Sequence, residues 1–370
     1  MTDDRVIASY WIETAFPLED AAASMAGEQS TGTFIRVPGE TDEKREAHAA
    51  RVEEIVDLGT VDTPSLPGSG LPPAGSQERH AAHVTLSWPI SNFGPSLPNL
   101  LATIAGNLSE LKAFSGLKLI DIKLPPLFLE RYQGPQFGVA GTRRLADVFD
   151  RPMIGTIIKP SVGLSPEATA QLVSKLVDAG VDFIKDDELQ ADGPHCPFDE
   201  RISAVMRVIR DHADRTGKKV MFAANLTGDI DEMLRRHAHV LDEGGTCIMV
   251  SMNSIGLPAM KVLRAESQLP IHGHRNGWGM LGRSPAIGMS FVAYQKLWRL
   301  AGIDHTHVNG IDNKFCEEND SVIASARECL TPMFEQPHPG CEIMPVFSSG
   351  QSARQAAATY EALGATDLIY

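Results

Sequence analysis

From about residue 150 to the end of the chain, short apolar and β-branched runs alternate with longer stretches whose apolar positions recur at helical spacing. That alternation predicts repeated βα units around a parallel sheet. The expected strands are Met153–Lys159, Phe183–Lys185, Val220–Ala224, Cys247–Ser251, Ile271–His274, His305–Val308, Ile343–Phe347 and Asp367–Tyr370. Helices are expected over Ser165–Ala179, Phe198–Thr216, Ile230–Glu243, Ser290–Ala301 and Ser352–Leu363. Eight strands joined by such helices predict an α/β barrel of the (β/α)8 TIM type over residues 146–370. An open doubly wound sheet is the alternative, but the first βα turn reads Lys159-Pro160-Ser161 where a dinucleotide fold carries Gly-x-Gly-x-x-Gly.

Residues 1–145 show no strict alternation and predict a smaller α+β domain. Its expected strands are Arg5–Trp11, Thr33–Val37, His83–Trp88 and Leu117–Lys123, with helices near Leu18–Met25 and Leu97–Ile104. The Pro-, Gly- and Ser-rich segment Pro64–Gly75 reads as a loop.

Charge narrows the function classes. A net charge of -14 disfavours nucleic acid and anionic membrane surfaces as partners, while leaving room for a small anionic substrate in a local basic pocket. With no long uncharged apolar run and a polar, acidic N-terminus, a cytoplasmic protein is expected. Cys196, Cys247, Cys316, Cys329 and Cys341 are odd in number and form no Cys-x-x-Cys pair, so they are expected to be packing residues.

The densest chemistry lies in Ala179-Gly-Val-Asp-Phe-Ile-Lys-Asp-Asp-Glu188, where an apolar strand ends in Lys185, Asp186, Asp187 and Glu188. Carboxylates gathered there repel one another unless solvated or grouped around a cation, and hard oxygen ligands suit Mg²⁺. A solvated acidic turn is the alternative. In a barrel, catalytic groups sit at the C-terminal ends of strands. Those ends carry Lys159, Lys185 with Asp187 and Glu188, Asn225, Asn253, His274 with Arg275, His307, and Ser348-Ser349-Gly350. Singly, each has a plain explanation: Asn225 and Asn253 cap helices, and a histidine packs in the core. Together they favour an active site.

These residues resemble a known family, the RuBisCO large subunit and its RuBisCO-like (form IV) relatives. Gly180–Glu188 is similar to the metal motif, and Gly155–Ser165 to the strand bearing the catalytic lysine. Ile271–Arg275 resembles the phosphate-binding His-Arg strand, Asp304–His307 with Lys314 the next strand and its lid lysine, and Pro345–Gly350 the strand that closes on substrate. Gly27–Thr33 and Gly106-Asn107 resemble segments that complete a neighbouring subunit's site.

The resemblance implies a ferredoxin-like N-terminal domain and a homodimer or larger assembly with shared sites. It implies that Lys185 reacts with CO₂ to form a carbamate, so that Lys185, Asp187 and Glu188 hold Mg²⁺. Lys159 becomes the base, acting near neutrality through burial beside other cations. His274, His307 and Lys314 join the catalytic set, with Arg275, Ser348, Gly350, Glu28, Thr33 and Asn107 binding a phosphorylated sugar. His305 shares a strand face with His307, and His307 is preferred because it lies nearer the strand's C-terminal end.

Departures locate the branch. Ser161 stands where the carboxylase has a second lysine, Phe34 where it has an indole, and the lid Asn309-Gly-Ile-Asp-Asn313 lacks its Gly-rich wording. Asn276-Gly277-Trp278-Gly279 also differs. Carboxylation of ribulose bisphosphate is therefore not expected. The chain ends in its eighth expected strand, before the family's glycine-rich phosphate loop, and reads as C-terminally shortened. The leading expectation is decarboxylation of a 3-oxo sugar-acid phosphate such as 3-oxo-isoapionate 4-phosphate. The alternatives are a 5-methylthioribulose 1-phosphate isomerase or related methionine-salvage enolase, and a non-catalytic dimeric scaffold.

Overall fold

The computed structural model describes residues 4–32, 37–72 and 78–370. The strands are β1 (Arg5–Thr14), β2 (Arg51–Val61), β3 (Arg79–Pro89), β4 (Phe114–Lys123), β5 (Gly155–Ile157) and β6 (Phe183–Lys185). They continue as β7 (Met221–Asn225), β8 (Cys247–Ser251), β9 (Ile271–His274), β10 (Ile287–Met289), β11 (His305–Asn309) and β12 (Met344–Phe347). The expected strand Thr33–Val37 lies almost wholly outside the described residues, as does the end of the expected loop Pro64–Gly75.

The chain divides into two compact units, Met1–Arg131 with Trp278–Leu297, and Tyr132–Gly277 with Trp298–Tyr370. The division falls at Arg131 rather than near residue 145, so the helix Gly138–Ala146 belongs to the second unit. Trp278–Leu297 returns to the first because β10 pairs in parallel with β4, matching Ile287 to Leu117. Lys118 fixes the approach by donating from Nζ to the carbonyls of Gly282 (3.0 Å) and Ser284 (2.6 Å).

In the first unit the sheet order is β10-β4-β1-β3-β2, with β1, β2, β3 and β4 antiparallel. Val6, Ala8, Tyr10 and Ile12 alternate along β1 and are fully buried, as period two requires of a sheet with one face on a core. The Tyr10 hydroxyl donates to the Ile104 carbonyl at 2.6 Å, tying the sheet to the helix Leu97–Ile104. Strand β2 was not anticipated. It is an edge strand with no buried residue, its apolar Val52, Val56 and Leu58 are exposed, and register shifts at Val52/Glu54 and Asp57/Gly59 break the alternation that marks a strand in sequence.

The second unit holds a parallel sheet in the order β5-β6-β7-β8-β9-β11-β12, with helices between successive strands. Strands β7, β8 and β11 are buried at every position, as expected of parallel strands covered on both faces. Residues 368–370 form isolated bridges rather than a full strand. Ile369 pairs in parallel with both Met153 and Val346, and Tyr370 N donates to the Met153 carbonyl at 2.8 Å, which links the two edges of the sheet. Phe183, Met221, Ala223, Cys247, Met249, Met344, Val346 and Ile369 pack into one apolar cluster. The helix Met252–Glu266 escaped the sequence pattern because Gly256, at φ 75°, and Pro258 interrupt it where two helical pieces meet. Four cysteines are buried as expected, and Cys316 is exposed. No helix among the described residues is long and apolar enough to cross a membrane.

Candidate active site

Lys185 ends β6 with its side chain 1% exposed. Beneath its Nζ lies the Met249 sulfur at 3.5 Å. Around it lie the Asp186 carbonyl at 2.8 Å and Glu188 Oε2 at 3.0 Å. Burial lowers the pKa of this amine against the opposing pull of Glu188, Asp187 and Asp186. The neutral amine is the form of lysine that adds to CO₂, and burial shifts Lys185 towards it. Burial also works on Glu188 in the opposite sense, but the Lys185 charge overcomes it and holds the carboxyl at about 2. Lys185 is the partner that acts at neutral pH, because burial pushes His274 down to about 4 and leaves it uncharged there.

The acidic run, which lies just past the end of β6, splits between two sides. Asp187, fully buried, faces the same side as Lys185, accepting from Leu189 N at 3.0 Å on Oδ1 and from Lys159 Nζ at 2.5 Å on Oδ2. Asp186 turns the other way and pairs with Arg201 at 3.1 Å, both side chains being fully enclosed. Arg201 in turn donates to the carbonyls of Gln190, Ala191 and Cys196, and so gathers the loop that follows the motif. Asn225, at the end of β7, caps no helix. Its Nδ2 donates to the carbonyls of Asp187 and Glu188, both at 3.2 Å, and braces the motif's backbone. Asn253 stands at the start of its helix and donates to the Asn276 carbonyl at 2.8 Å.

Lys159 follows β5 and also donates to Ser161 Oγ at 2.9 Å. The burial expected of it is absent, its side chain being 58% exposed.

Four histidines stand on the neighbouring strands β9 and β11. His274 Nε2 lies 3.5 Å from Glu188 Oε2, and His307 Nδ1 lies 2.8 Å from Ser348 Oγ. His305 points instead to Thr142 Oγ1 at 2.7 Å, on the helix Gly138–Ala146, away from the carboxylates. His272 was overlooked in the sequence, although it shares a strand face with His274. Its Nε2 meets His307 Nε2 at 2.9 Å, so only one of the two nitrogens carries a proton. His272 Nδ1 has no partner, and an orphaned lone pair costs less than an orphaned N–H. His272 is accordingly assigned as the Nε2–H donor, and His307 keeps its proton on Nδ1 towards Ser348.

Burial holds all four histidines uncharged: His305 is pushed down to about 3, His274 to about 4, and His272 and His307 well below the ordinary range. An unfolded chain protonates each near 6.5 and the folded chain does not. Their stabilisation is therefore complete above about pH 6.5 and is lost as pH falls towards the folded values. Asp186 and Asp304, raised by burial, act in the opposite sense. With more histidines than such carboxylates, stability should drop between pH 7 and 5 by about 1.4 kcal/mol per pH unit for each net group. A urea midpoint that is constant or rising on acidification across that range would contradict this.

Arg275, nearly buried at the end of β9, donates from Nη2 to Glu317 Oε2 at 2.8 Å. Glu317 was not foreseen, since it gains meaning only from contacts distant in sequence, whereas Ser349 and Asn309 were marked in the sequence only as members of the Ser348-Ser349-Gly350 strand end and of the lid. Gly350, exposed at φ 89°, continues the turn after β12. Lys314 is exposed: its backbone N donates to the Ser349 carbonyl at 3.2 Å, while its Nζ sits over the Phe315 ring. In the first unit, Glu28 ends the helix Leu18–Glu28 and Asn107 is exposed after the helix Leu97–Ile104. Gln29, with its amide oriented to satisfy both ends, accepts from Asn107 N at 2.9 Å and so brings these two positions together. Thr33 and Phe34 lie outside the described residues.

Among the described residues no three histidine, cysteine or carboxylate side chains converge as a metal group. Asp187 and Glu188 would offer two carboxylate ligands, and the third neighbour is the Lys185 amine. An ammonium there opposes a cation, whereas a carbamate on the same nitrogen brings anionic oxygens to the two carboxylates and makes the hard oxygen set that Mg²⁺ takes. The residues fit Mg²⁺ in that form.

Several known proteins resemble this chain over nearly its whole length. It is similar to the 3-oxo-isoapionate-4-phosphate transcarboxylase/hydrolase of Xanthobacter autotrophicus, 58% identical over 99% of this chain and 87% of that protein. It is also similar to the 3-oxo-isoapionate-4-phosphate decarboxylase of Rhizobium etli, 44% identical over 99% of this chain and 86% of that protein. The crystal structure of a rubisco-like protein from Burkholderia fungorum superposes with a TM-score of 0.91 at 45% identity, covering 99% of this chain and 87% of that one. The family models for the ribulose bisphosphate carboxylase large chain match residues 1–128 with the N-terminal domain and 138–370 with the catalytic domain. The chain therefore belongs to the ribulose bisphosphate carboxylase large-chain family, alongside its RuBisCO-like members.

Proposed function

We propose that this protein is an Mg²⁺-dependent enzyme acting on 3-oxo-isoapionate 4-phosphate, whose first step breaks the bond to the substrate's carboxylate. The observation that carries this reading is the placement of Lys159 and Lys185 on either side of Asp187 and Glu188, with His274 and His307 alongside. The relatives' substrate supports it. Ser161, in place of a second lysine, argues against carboxylation of ribulose bisphosphate.

Mg²⁺ held by carbamylated Lys185, Asp187 and Glu188 would supply Lewis acidity at the substrate's carbonyl oxygen, where negative charge collects as the carboxylate departs as CO₂. Asn225 and Arg201 keep the motif's backbone in place. Lys159, anchored on Ser161, delivers a proton to the carbon that lost the carboxylate. Arg275, His307, Ser348 and Gly350 bind the phosphate end, and exposed Lys314 closes on substrate. We further read residues 368–370 as the closing strand of an eight-stranded barrel, the first unit as ferredoxin-like, and the assembly as a cytoplasmic homodimer or larger. In it Glu28, Thr33 and Asn107 serve the neighbouring subunit's site.

The relative at 58% identity favours a second outcome, in which the carboxyl group is transferred and the product hydrolysed. Substrate labelled with ¹³C at the carboxylate, turned over in D₂O, separates the two. Label appearing as CO₂ identifies the decarboxylase, and label kept in a product carboxylate identifies transfer and hydrolysis. An untouched substrate, with deuterium uptake only into a methylthio-sugar phosphate, would overturn both. In the same assay Lys159→Met is expected to abolish deuterium incorporation at the reacting carbon while leaving the fold intact. Undiminished incorporation removes Lys159 from the proton transfer.

A further inference from the structure

Glu317 lies between exposed Lys314 and the helix Asn319–Leu330, in the segment that follows β11. One carboxylate oxygen, Oε2, accepts from Arg275 Nη2 at 2.8 Å and also from Asn309 Nδ2. The other, Oε1, accepts from Ser321 Oγ at 3.1 Å. Asn309, itself nearly buried at φ 65°, takes Ser349 Oγ on its side-chain oxygen at 2.8 Å. Arg275, Glu317, Asn309 and Ser349 thus form one continuous network beside Ser348 and His307.

That network is the place an anion would occupy. A guanidinium N–H, an amide N–H and a serine hydroxyl are donors suited to phosphate oxygens, and here Glu317 takes one of each, from Arg275, Asn309 and Ser321. A carboxylate and a phosphate dianion cannot share these donors in a nearly buried space without strong repulsion. The segment that carries Glu317 is also internally tied: Asn313 Nδ2 donates to the carbonyls of Gly310 (2.8 Å) and Glu317 (3.2 Å), and Phe315 N donates to Asn313 Oδ1 at 2.7 Å. Its side-chain attachments to the strand ends are Glu317, on Arg275 and Asn309, and Gln351 Nε2, which donates to the Ile311 carbonyl at 3.0 Å.

We propose that Glu317 is an internal competitor for the phosphate subsite. Its carboxylate holds Arg275 and Asn309 when no ligand is bound; a phosphate dianion displaces it and frees the segment 310–318 to rearrange. Such a site selects phosphate monoesters over singly charged carboxylates, because only the dianion both outcompetes the glutamate and offers enough acceptor oxygens to replace it. The inference rests on the reading of Arg275 as the phosphate contact.

The test is calorimetric titration of the whole protein with inorganic phosphate, for the wild type, Glu317→Gln, Glu317→Asp and Arg275→Ala, together with hydrogen exchange across residues 310–318. Removing the charge in Glu317→Gln is expected to tighten phosphate binding on the order of tenfold. It should also speed exchange in the free protein to the level that phosphate induces in the wild type. Glu317→Asp, which keeps the charge but shortens the reach, should give a smaller gain, and it serves as the test if the glutamine variant does not fold. Phosphate binding by these variants that is equal to the wild type, weaker or absent would overturn the proposal and make Glu317 a permanent brace. Arg275→Ala separates the two levels. If it binds phosphate as the wild type does, the phosphate lies elsewhere and the underlying reading fails. If it loses binding while Glu317→Gln gains none, only the competitor role fails.

Discussion

Replacing Lys185 with methionine is expected to leave a folded protein that binds Mg²⁺ no better with bicarbonate than without, and that turns over at least about 10³-fold more slowly. Methionine suits the space, because the Met249 sulfur already lines it and the side chain is almost fully enclosed. The substitution removes a desolvated amine, so thermal stability without bicarbonate should hold or rise. Glu188 loses its 3.0 Å partner but keeps some access to solvent, which limits the cost. Lys185→Arg should fail equally, since a guanidinium stays protonated and cannot form a carbamate. Mg²⁺ titration with and without bicarbonate reads the effect independently of turnover. A methionine variant that retained wild-type, bicarbonate-dependent Mg²⁺ affinity would remove Lys185 from the metal site.

Asp186→Ala should destabilise the protein by about 3–5 kcal/mol, more than any surface change, because it strands the fully buried Arg201 guanidinium without its counter-charge. Arg201 would keep the carbonyls of Gln190, Ala191 and Cys196, which satisfy its donors without neutralising it. Asp186→Asn, which keeps an acceptor oxygen and loses the charge, should cost less. Because Arg201 holds the loop that follows Glu188, Mg²⁺ affinity should fall together with stability. Urea unfolding checks the first effect and metal titration the second. A stability change below about 1 kcal/mol would mean that water or a neighbouring carboxylate replaces Asp186.

The two substitutions concern adjacent residues of one motif with unlike work. Lys185 and Asp187 face the site, while Asp186 faces the helix Phe198–Thr216. The linear run of charges conceals the division. The same holds along β9, where Ile271-His-Gly-His places His272 behind His274 on one face, and only the contact with His307 shows that His272 is engaged.

Strand positions in the second unit were legible because each is a short apolar run bounded by turn residues; β6, β8 and β9 fall where the pattern puts them. Strand β2 was not, because its apolar Val52, Val56 and Leu58 stay exposed and two register shifts break its alternation. The helix Met252–Glu266 was hidden by its own Gly256 and Pro258.

By itself the sequence determined the local periods and the chemistry at the strand ends: the lysine and carboxylate motif, the His-Arg strand, and the serines and glycine after the last long strand. These depend on neighbours in the chain, whose spacing is visible as letters. The tertiary structure alone decided which charges meet: Asp186 with Arg201, Lys159 with Asp187, Arg275 with Glu317, and Trp278–Leu297 with the first unit. Those pairings join residues far apart in sequence, and they are selected by the cost of leaving a buried charge or strand edge unpartnered, which has no signature in local composition.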